Sequence, residues 1–542
     1  MRYFLYALPI VFLVTFYFYP LGAILQTSFA RENARAVAEV FTDPYYARVL
    51  VFTIGQATLS TLLTVLIALP AAYIFARYDF RGAALLRAMT TLPFVMPTIV
   101  VATAFSALLG PRGSINLALM QLFQLEQPPL RIMHTLTIIL LAHIFYNFTV
   151  VLRIVGGFWS NLDPQLEHAA RVLGATRARA FWHITLPLLA PALLAAALLV
   201  FIFNFTSFGI ILILGGARLA TLEVEIYRQT VNLFNLPVAA TLSLIQLICT
   251  FALTLIYTRL QARLARPLRL RPQTTVRRPL ARAREKIVVA LYLAAMVLFL
   301  MTPLVSIVVA SFEDGGSYYA ELFINRRDSI MYVPPIEAVR NSLFFASATV
   351  ILAASLGLIA AYSLEQRQHS RMSVPVRLLD AVYMLPLGTS AVTLGFGFIL
   401  ALGGWRASIA LVILAHTLVA FPFVVRAILP IVRSIAPRLR EAAQMLGASP
   451  ERVWREIDLP IVTRALLVGA VFAFTVSMGE FGATMLVARP DLPTIPMAIY
   501  RVLAQPGLAN FGQALALSTI LMGVTALGIL AVERLRVGEA EF

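Results

Sequence analysis

Apolar runs longer than the ~18 residues that carry an α-helix across a bilayer core of ~30 Å recur along this chain, and they leave it few folds. In the first half such runs cover 3–25, 49–76, 86–110, 132–154, 188–214 and 237–259. In the second they cover 287–311, 342–364, 378–403, 407–430, 463–487 and 512–533. The chain is 60% hydrophobic and only 13% charged, whereas soluble domains carry about 25% charged residues. The alternating pattern of a membrane β-barrel is absent. The expected class is an all-α polytopic membrane protein of two parallel six-helix halves, about 12 transmembrane helices. The apolar run after Met1-Arg2 reaches about Leu25 and has no small-x-small cleavage site. It is longer than the 7–15 residues of a signal-peptide core, so it reads as an uncleaved first span.

The net charge of +17 would suit nucleic acid, but the basic residues flank apolar runs, as the positive-inside rule requires. They concentrate in 261–286, where Arg263, Arg266, Arg269, Arg271, Arg277, Arg278, Arg282 and Arg284 face one acid, Glu285. Pro267, Pro272 and Pro279 discourage a continuous helix there. The stretch reads as a basic cytoplasmic linker that meets anionic lipid headgroups. It divides the chain into a first half (1–260) and a second half (287–542). With the linker and both termini inside, 26–48, 111–134, 215–236, 311–341 and 488–510 fall outside. Cys249 is the single cysteine and Lys286 the single lysine. Disulfides and cysteine metal clusters are therefore excluded. A Gly-x-x-x-x-Gly-Lys phosphate loop is excluded too, so no ATP site is expected in this chain.

Between apolar runs lies a polar, helix-prone island, 167–187, and its counterpart is 441–460. Leu173-Gly174-Ala175 and Leu446-Gly447-Ala448 are 273 residues apart, as are Leu186-Pro187 and Leu459-Pro460. At the same offset Leu141-Ala142-His143 matches Leu414-Ala415-His416, Arg153 matches Arg426, Phe208-Gly209 matches Phe481-Gly482, and Ile226-Tyr227-Arg228 matches Ile499-Tyr500-Arg501. An even number of spans per half gives the copies one orientation, related by an axis along the membrane normal.

The pattern Glu-Ala-Ala-x-x-x-Gly followed by Ile-x-Leu-Pro resembles the motif of permease subunits of binding-protein-dependent ABC importers. The second copy fits best, with Glu441, Ala442, Ala443, Gly447, Ile457, Leu459 and Pro460. The first carries Glu167, His168, Ala169, Ala170, Gly174, Leu186 and Pro187, with His168 where the motif has its glutamate. The fused form looks like the ferric-iron and thiamine permease branch. The resemblance implies a MetI-like permease fold with a cytoplasmic coupling helix in each half, seated on a partner ATPase dimer that carries ATP and Mg. It also implies a periplasmic or lipid-anchored substrate-binding protein outside, a bacterial inner-membrane location, and no enzymatic site in this chain. Small residues suit close docking, and Gly174 and Gly447 permit the positive φ of a helix-ending turn.

Span five follows each motif directly. Asn204, Thr206 and Ser207 in the first half, with Ser477 and Glu480 in the second, are the candidate substrate-path residues. A carboxylate at membrane depth usually faces a cavity, which puts Glu480 first. The matched His143 and His416 read as interhelical hydrogen-bonding groups, with metal binding the sharper alternative. Glu223 and Glu225, in an external loop, read equally as contacts to a binding protein or as solvated charges. Alternating-access import of a small solute is the expected function, with ferric iron leading and thiamine next. The alternative is an ion-coupled secondary transporter, which shares the two six-span repeats but needs no docking motif.

Overall fold

The computed structural model describes residues 2–216, 218–264, 277–280, 282–325, 333–368, 376–405 and 408–537. Half of the basic linker expected at 261–286, residues 265–276 and 281, lies outside the described residues. Among those described, eleven helices are long and apolar enough to cross a membrane, twelve if one bent pair is a single span. The protein is a polytopic all-α membrane protein.

The spans of the first half are Leu5–Phe29, Pro44–Arg77, Thr98–Phe123 (entered by a shorter apolar helix, Ala83–Val95), Leu136–Ser160, Arg177–Phe205 and Leu236–Gln261. Those of the second are Ala283–Ser311, Ile336–Glu365, the bent pair Leu378–Gly388 and Ala391–Ala401, then Ile409–Ser434, Pro450–Gly479 and Leu508–Val532. We number them one to twelve in that order.

The sequence reading took spans three and nine as continuous helices; both are broken. In span nine the two pieces meet at 96°. Pro386 precedes the break, and Ser390 restarts the helix by accepting hydrogen bonds from the Val392 and Thr393 amides at 3.1 and 3.3 Å. In span three Pro97 holds Met96 extended at φ −65°, ψ 137° and ends the first piece.

Spans two, four and five form the centre of the first half, and spans eight, ten and eleven that of the second. Small residues set the spacing. A Cβ added to Gly357 of span eight would fall 2.5 Å from Val424 Cγ1 of span ten, so only glycine permits this crossing. The first span of each half packs on the other half. Tyr17 bonds Thr389 at 2.7 Å and Phe12 meets Phe421 at 6.4 Å. From span seven, Ser306 bonds Ser114 at 3.0 Å and Phe299 meets Phe145 at 6.3 Å. The halves are interlocked by exchange of their leading helices.

Two segments expected outside fold back into the protein. Helix Leu222–Tyr227 is buried along its whole length, and in Ile495–Leu503 the first five residues and Val502 are buried. Glu223 and Glu225 are therefore neither solvated nor available to a binding protein, since both side chains are fully buried. Each is satisfied internally. Glu223 accepts from Ser390 at 2.6 Å and from Gln246, and Glu225 accepts from Tyr45 at 2.8 Å and Gln229 at 2.7 Å.

Candidate functional site

The two motif stretches fold alike. Helix Pro164–Val172 is capped by Asp163, whose carboxylate accepts from the Gln165 amide at 2.9 Å. It ends in a Schellman turn: the Ala175 amide reaches the Ala170 carbonyl and the Gly174 amide the Arg171 carbonyl. Helix Pro437–Met445 ends the same way, with Ala448 on Ala443 and Gly447 on Gln444. Gly174 and Gly447 sit at φ +91° and +83°. Nothing lies within 4 Å of a Cβ added at either. The glycines are thus needed for backbone handedness and not for space.

These turns hold apolar side chains out in the open. Val172 and Leu173 are 87% and 88% exposed, and their counterparts Met445 and Leu446 are 88% and 89% exposed. Behind each tip the helix is anchored to the bundle. In the second half Arg440 donates to Asp458 at 2.8 Å and to Glu365 of span eight at 2.9 Å. Burial works against the Arg440 charge, but the hydrogen bonds to Asp458 and Glu365 outweigh it and raise its pKa. In the first half Arg77, at the end of span two, donates to the Leu162 carbonyl at 3.1 Å. Trp159 there lies between Tyr73 at 5.2 Å and Phe181 at 6.2 Å.

The path residues proposed from sequence fall into two buried polar clusters, one per half, at the far ends of spans five and eleven. His143 bridges Ser60 at 3.0 Å and Ser207 at 2.9 Å. Asn204 accepts from Asn147 at 2.8 Å, and its carbonyl accepts from Gln56 at 2.9 Å. His416 bridges Ser477 at 2.7 Å and Thr484 at 2.8 Å, with Glu480 at 3.4 Å. The Glu480 carboxylate also accepts from the Ala483 and Thr484 amides at 2.8 and 2.9 Å, capping the short helix Thr484–Val487. The histidines are interhelical hydrogen-bonding residues, each inside its own cluster. Thr206 returns its hydroxyl to the Ile202 carbonyl at 2.9 Å.

Between the clusters the halves meet ring to ring. Phe208 and Phe481 lie 5.4 Å apart, Phe208 packs on Tyr227 at 5.5 Å, and Phe481 packs on Tyr500 at 5.8 Å. The symmetry is close: the offset of 273 relates both pairs. A Cβ on Gly209 would fall 2.5 Å from the Thr98 hydroxyl, so the chain touches the span-three break here. Exposure fades along both spans toward these rings. Leu194 and Leu467 are 58% and 46% exposed, while Val200, Ala473, Asn204 and Ser477 are buried.

A family model described as the binding-protein-dependent transport system inner membrane component matches residues 65–269, which include the first motif. The thiamine transport permease ThiP of Escherichia coli K12 is 27% identical over 476 residues, 85% of this chain and 84% of its own. ThiP of Brucella abortus 2308 is 28% identical over 518 residues, 94% of this chain and 91% of its own. The putative 2-aminoethylphosphonate permease PhnU of Salmonella paratyphi A is 26% identical over 254 residues, 46% of this chain and 88% of its own. The likeness to ThiP runs through both halves and both motifs. The chain is thus similar to binding-protein-dependent transport permeases, by a family model over residues 65–269 and by the ThiP proteins over most of its length.

The structure carries features that the motif alone does not announce. The Arg440 anchor needs Glu365, which lies in a different span and is invisible to any local pattern. Phe208, Phe481, Tyr227 and Tyr500 were visible as repeat matches, and only the fold shows that they converge. The surface arginines of the second motif pair in part with their own chain, with the exposed Arg452 on the exposed Glu456 at 3.1 Å.

Proposed function

We propose that the chain is the complete transmembrane pore of an ATP-driven importer whose cargo is thiamine or a closely related organic cation. The observation that carries this reading is the pair of in-register motif helices, each presenting two exposed apolar residues at one end of the molecule. Two equivalent tips suit the two subunits of an ATPase dimer, which would hold the ATP and Mg. The residues assigned to that contact are Glu167, His168, Ala169, Ala170, Gly174, Leu186 and Pro187, with Glu441, Ala442, Ala443, Gly447, Leu459 and Pro460. A substrate-binding protein would deliver cargo at the opposite end. The two halves, 1–260 and 287–542, joined by the basic stretch 261–286, would rock against each other, with that stretch and both termini on the ATPase side.

The conformation described fits the inward-facing limb of alternating access. Exposed faces of spans five and eleven border the route on the motif side, and the Phe208–Phe481 rings close it beyond. Loaded binding protein and ATP would part these rings. Thiamine is preferred over ferric iron on two grounds. The relatives that match both halves are named for thiamine, and aromatic rings beside a carboxylate, Glu480, suit a flat organic cation. Asn204, Ser207 and Ser477 line the same level.

The test is uptake of labelled thiamine into proteoliposomes holding the permease, its ATPase and its binding protein. ATP-dependent accumulation that requires the binding protein is expected. Uptake that ignores ATP and follows an ion gradient would return the case to a secondary transporter.

A further inference from the structure

At the motif end of the first half lies a cavity of about 420 Å³ whose lining includes Arg87, Arg153, Arg277, Thr90, Thr91 and Ser160. We propose that it binds a phosphate-bearing anion. The three guanidinium groups come from three separate elements: helix Ala83–Val95, span four, and the described C-terminal part of the linker. Among the described residues no carboxylate lines the cavity. Arg87 donates to the Phe75 carbonyl at 3.1 Å and Arg153 to the Thr91 hydroxyl at 2.9 Å. Arg277 is held over the cavity because Arg278 and Pro279 pair as a strand with Tyr78 and Asp79. Arg278 bonds the Tyr78 hydroxyl at 2.9 Å and lies 5.0 Å from its ring. The charges of Arg87 and Arg277 repel one another.

The second half supplies an internal control. Leu85-Leu86-Arg87-Ala88 and Leu92-Pro93 align with Leu378-Leu379-Asp380-Ala381 and Leu385-Pro386, all 293 residues apart. Arg87 thus stands where the other half has Asp380, and Asp380 lies 3.6 Å from Arg426, the counterpart of Arg153. Arg426 also donates to Met384 at 3.2 Å, just as Arg153 donates to Thr91, which takes the place of Met384. The filling differs as well. Tyr383, Leu429 and Pro430 occupy the positions held in the first half by Thr90, Gly156 and Gly157. Tyr383 is fully buried. One half therefore neutralises and fills this site, and the other inverts the acid to a base and opens the space. General enrichment of arginine on the inner face accounts for scattered charge, but not for the matched loss of bulk.

Converging guanidinium groups match the geometry of phosphate oxygens, with hydroxyls as further donors. The volume falls in the range of ordinary ligand sites, about 300–1,000 Å³. The phosphate has two possible sources, an anionic lipid headgroup and a soluble phosphate, and the experiment separates them.

The purified full-length chain is placed in nanodiscs of phosphatidylglycerol or phosphatidylcholine, and tightly held lipid is counted by native mass spectrometry. In neutral detergent, inorganic phosphate is titrated calorimetrically. Two variants act by different means. Arg87→Asp recreates the acid–base pair of the second half, and Gly157→Leu fills space, since nothing lies within 4 Å of a Cβ there. Arg433→Gln, an exposed arginine at the same end, is the control. Each variant is expected to weaken binding about ten- to a hundredfold, with the control unchanged. Retained phosphatidylglycerol that inorganic phosphate does not displace identifies a lipid. Saturable phosphate binding without lipid retention identifies a soluble ligand. Binding of neither probe by the folded chain, or binding unaffected by both variants, overturns the proposal.

Discussion

Changing Leu173 and Leu446 to serine tests the docking reading where the structure gives it a magnitude. Both side chains are nearly fully exposed and stand on turns whose backbone hydrogen bonds they do not share. Substitution at such positions moves folding stability within about 0.5 kcal/mol, so insertion and thermal unfolding stay close to the parent. If each leucine is buried in a groove of the ATPase, its removal forfeits about 1.5–3 kcal/mol of binding. At 1.4 kcal/mol per decade, each single variant loses about ten- to a hundredfold in affinity. The two tips belong to different halves and share no partner, so the losses add to about 10²- to 10⁴-fold. The assay is titration of labelled ATPase dimer onto the permease in nanodiscs, read by fluorescence anisotropy. Equal affinity of the double variant and the parent would refute the reasoning, because surface this apolar cannot be buried in a contact and contribute nothing.

Gly447→Ala forces an L-residue to φ +83° and costs about 1–3 kcal/mol of local strain; limited proteolysis is expected to cut the motif turn faster while membrane insertion is unchanged. Glu480→Gln removes the charge beside His416 and keeps an acceptor for only one of the Ala483 and Thr484 amides, which bond different carboxylate oxygens. Uptake should fall more than the unfolding temperature in detergent, and unchanged uptake would assign Glu480 to helix capping alone. Arg440→Met takes a charged partner from Glu365 and Asp458, about 1.5–3 kcal/mol. ATPase binding should persist while cargo-stimulated ATP hydrolysis drops. Cutting the chain within 268–280 and co-expressing the pieces should retain some uptake. Complete loss with both pieces stably made would show that this stretch does more than connect.

The span count and the repeat were legible because both depend on sequence distance alone. Twenty apolar residues cross a bilayer whatever surrounds them, and a fixed offset survives any packing. The breaks in spans three and nine were written in Pro97, Pro386 and Ser390, yet the apolar runs pass through them, and hydropathy does not register a 96° bend. Glu223 and Glu225 show the opposite failure. Acidic residues between two spans look like loop charges, and only the fold brings Ser390, Gln246, Tyr45 and Gln229 to them. Asn204, Ser207, Ser477 and Glu480 were found through their position after the motif. Their histidine partners were also on the page, because the repeat marked His143 and His416 as a pair.

The anchoring of the motif helices bears directly on how the proposed docking would reach the Phe208–Phe481 rings. Glu365 ends span eight and Asp458 stands at the entrance to the long helix Leu459–Gly479, so Arg440 ties one motif helix to two spans together. Those two spans meet again at their far ends, where Thr349 of span eight accepts from Ser477 at 3.5 Å, and Ser477 in turn bonds His416. In the first half span two runs from Arg77, beside the motif, to Ser60 and Gln56, which join the cluster at the end of span five. Each half thus holds a pair of long helices fastened at both ends, by charge near the motif in one half and by rings and a guanidinium in the other. Helices clamped this way tilt as a unit and do not bend separately, because bending would break buried hydrogen bonds at one end or the other. On the proposed importer reading, a displacement applied at Leu173 and Leu446 would be delivered to Phe208 and Phe481, which sit one residue beyond Ser207 and Glu480.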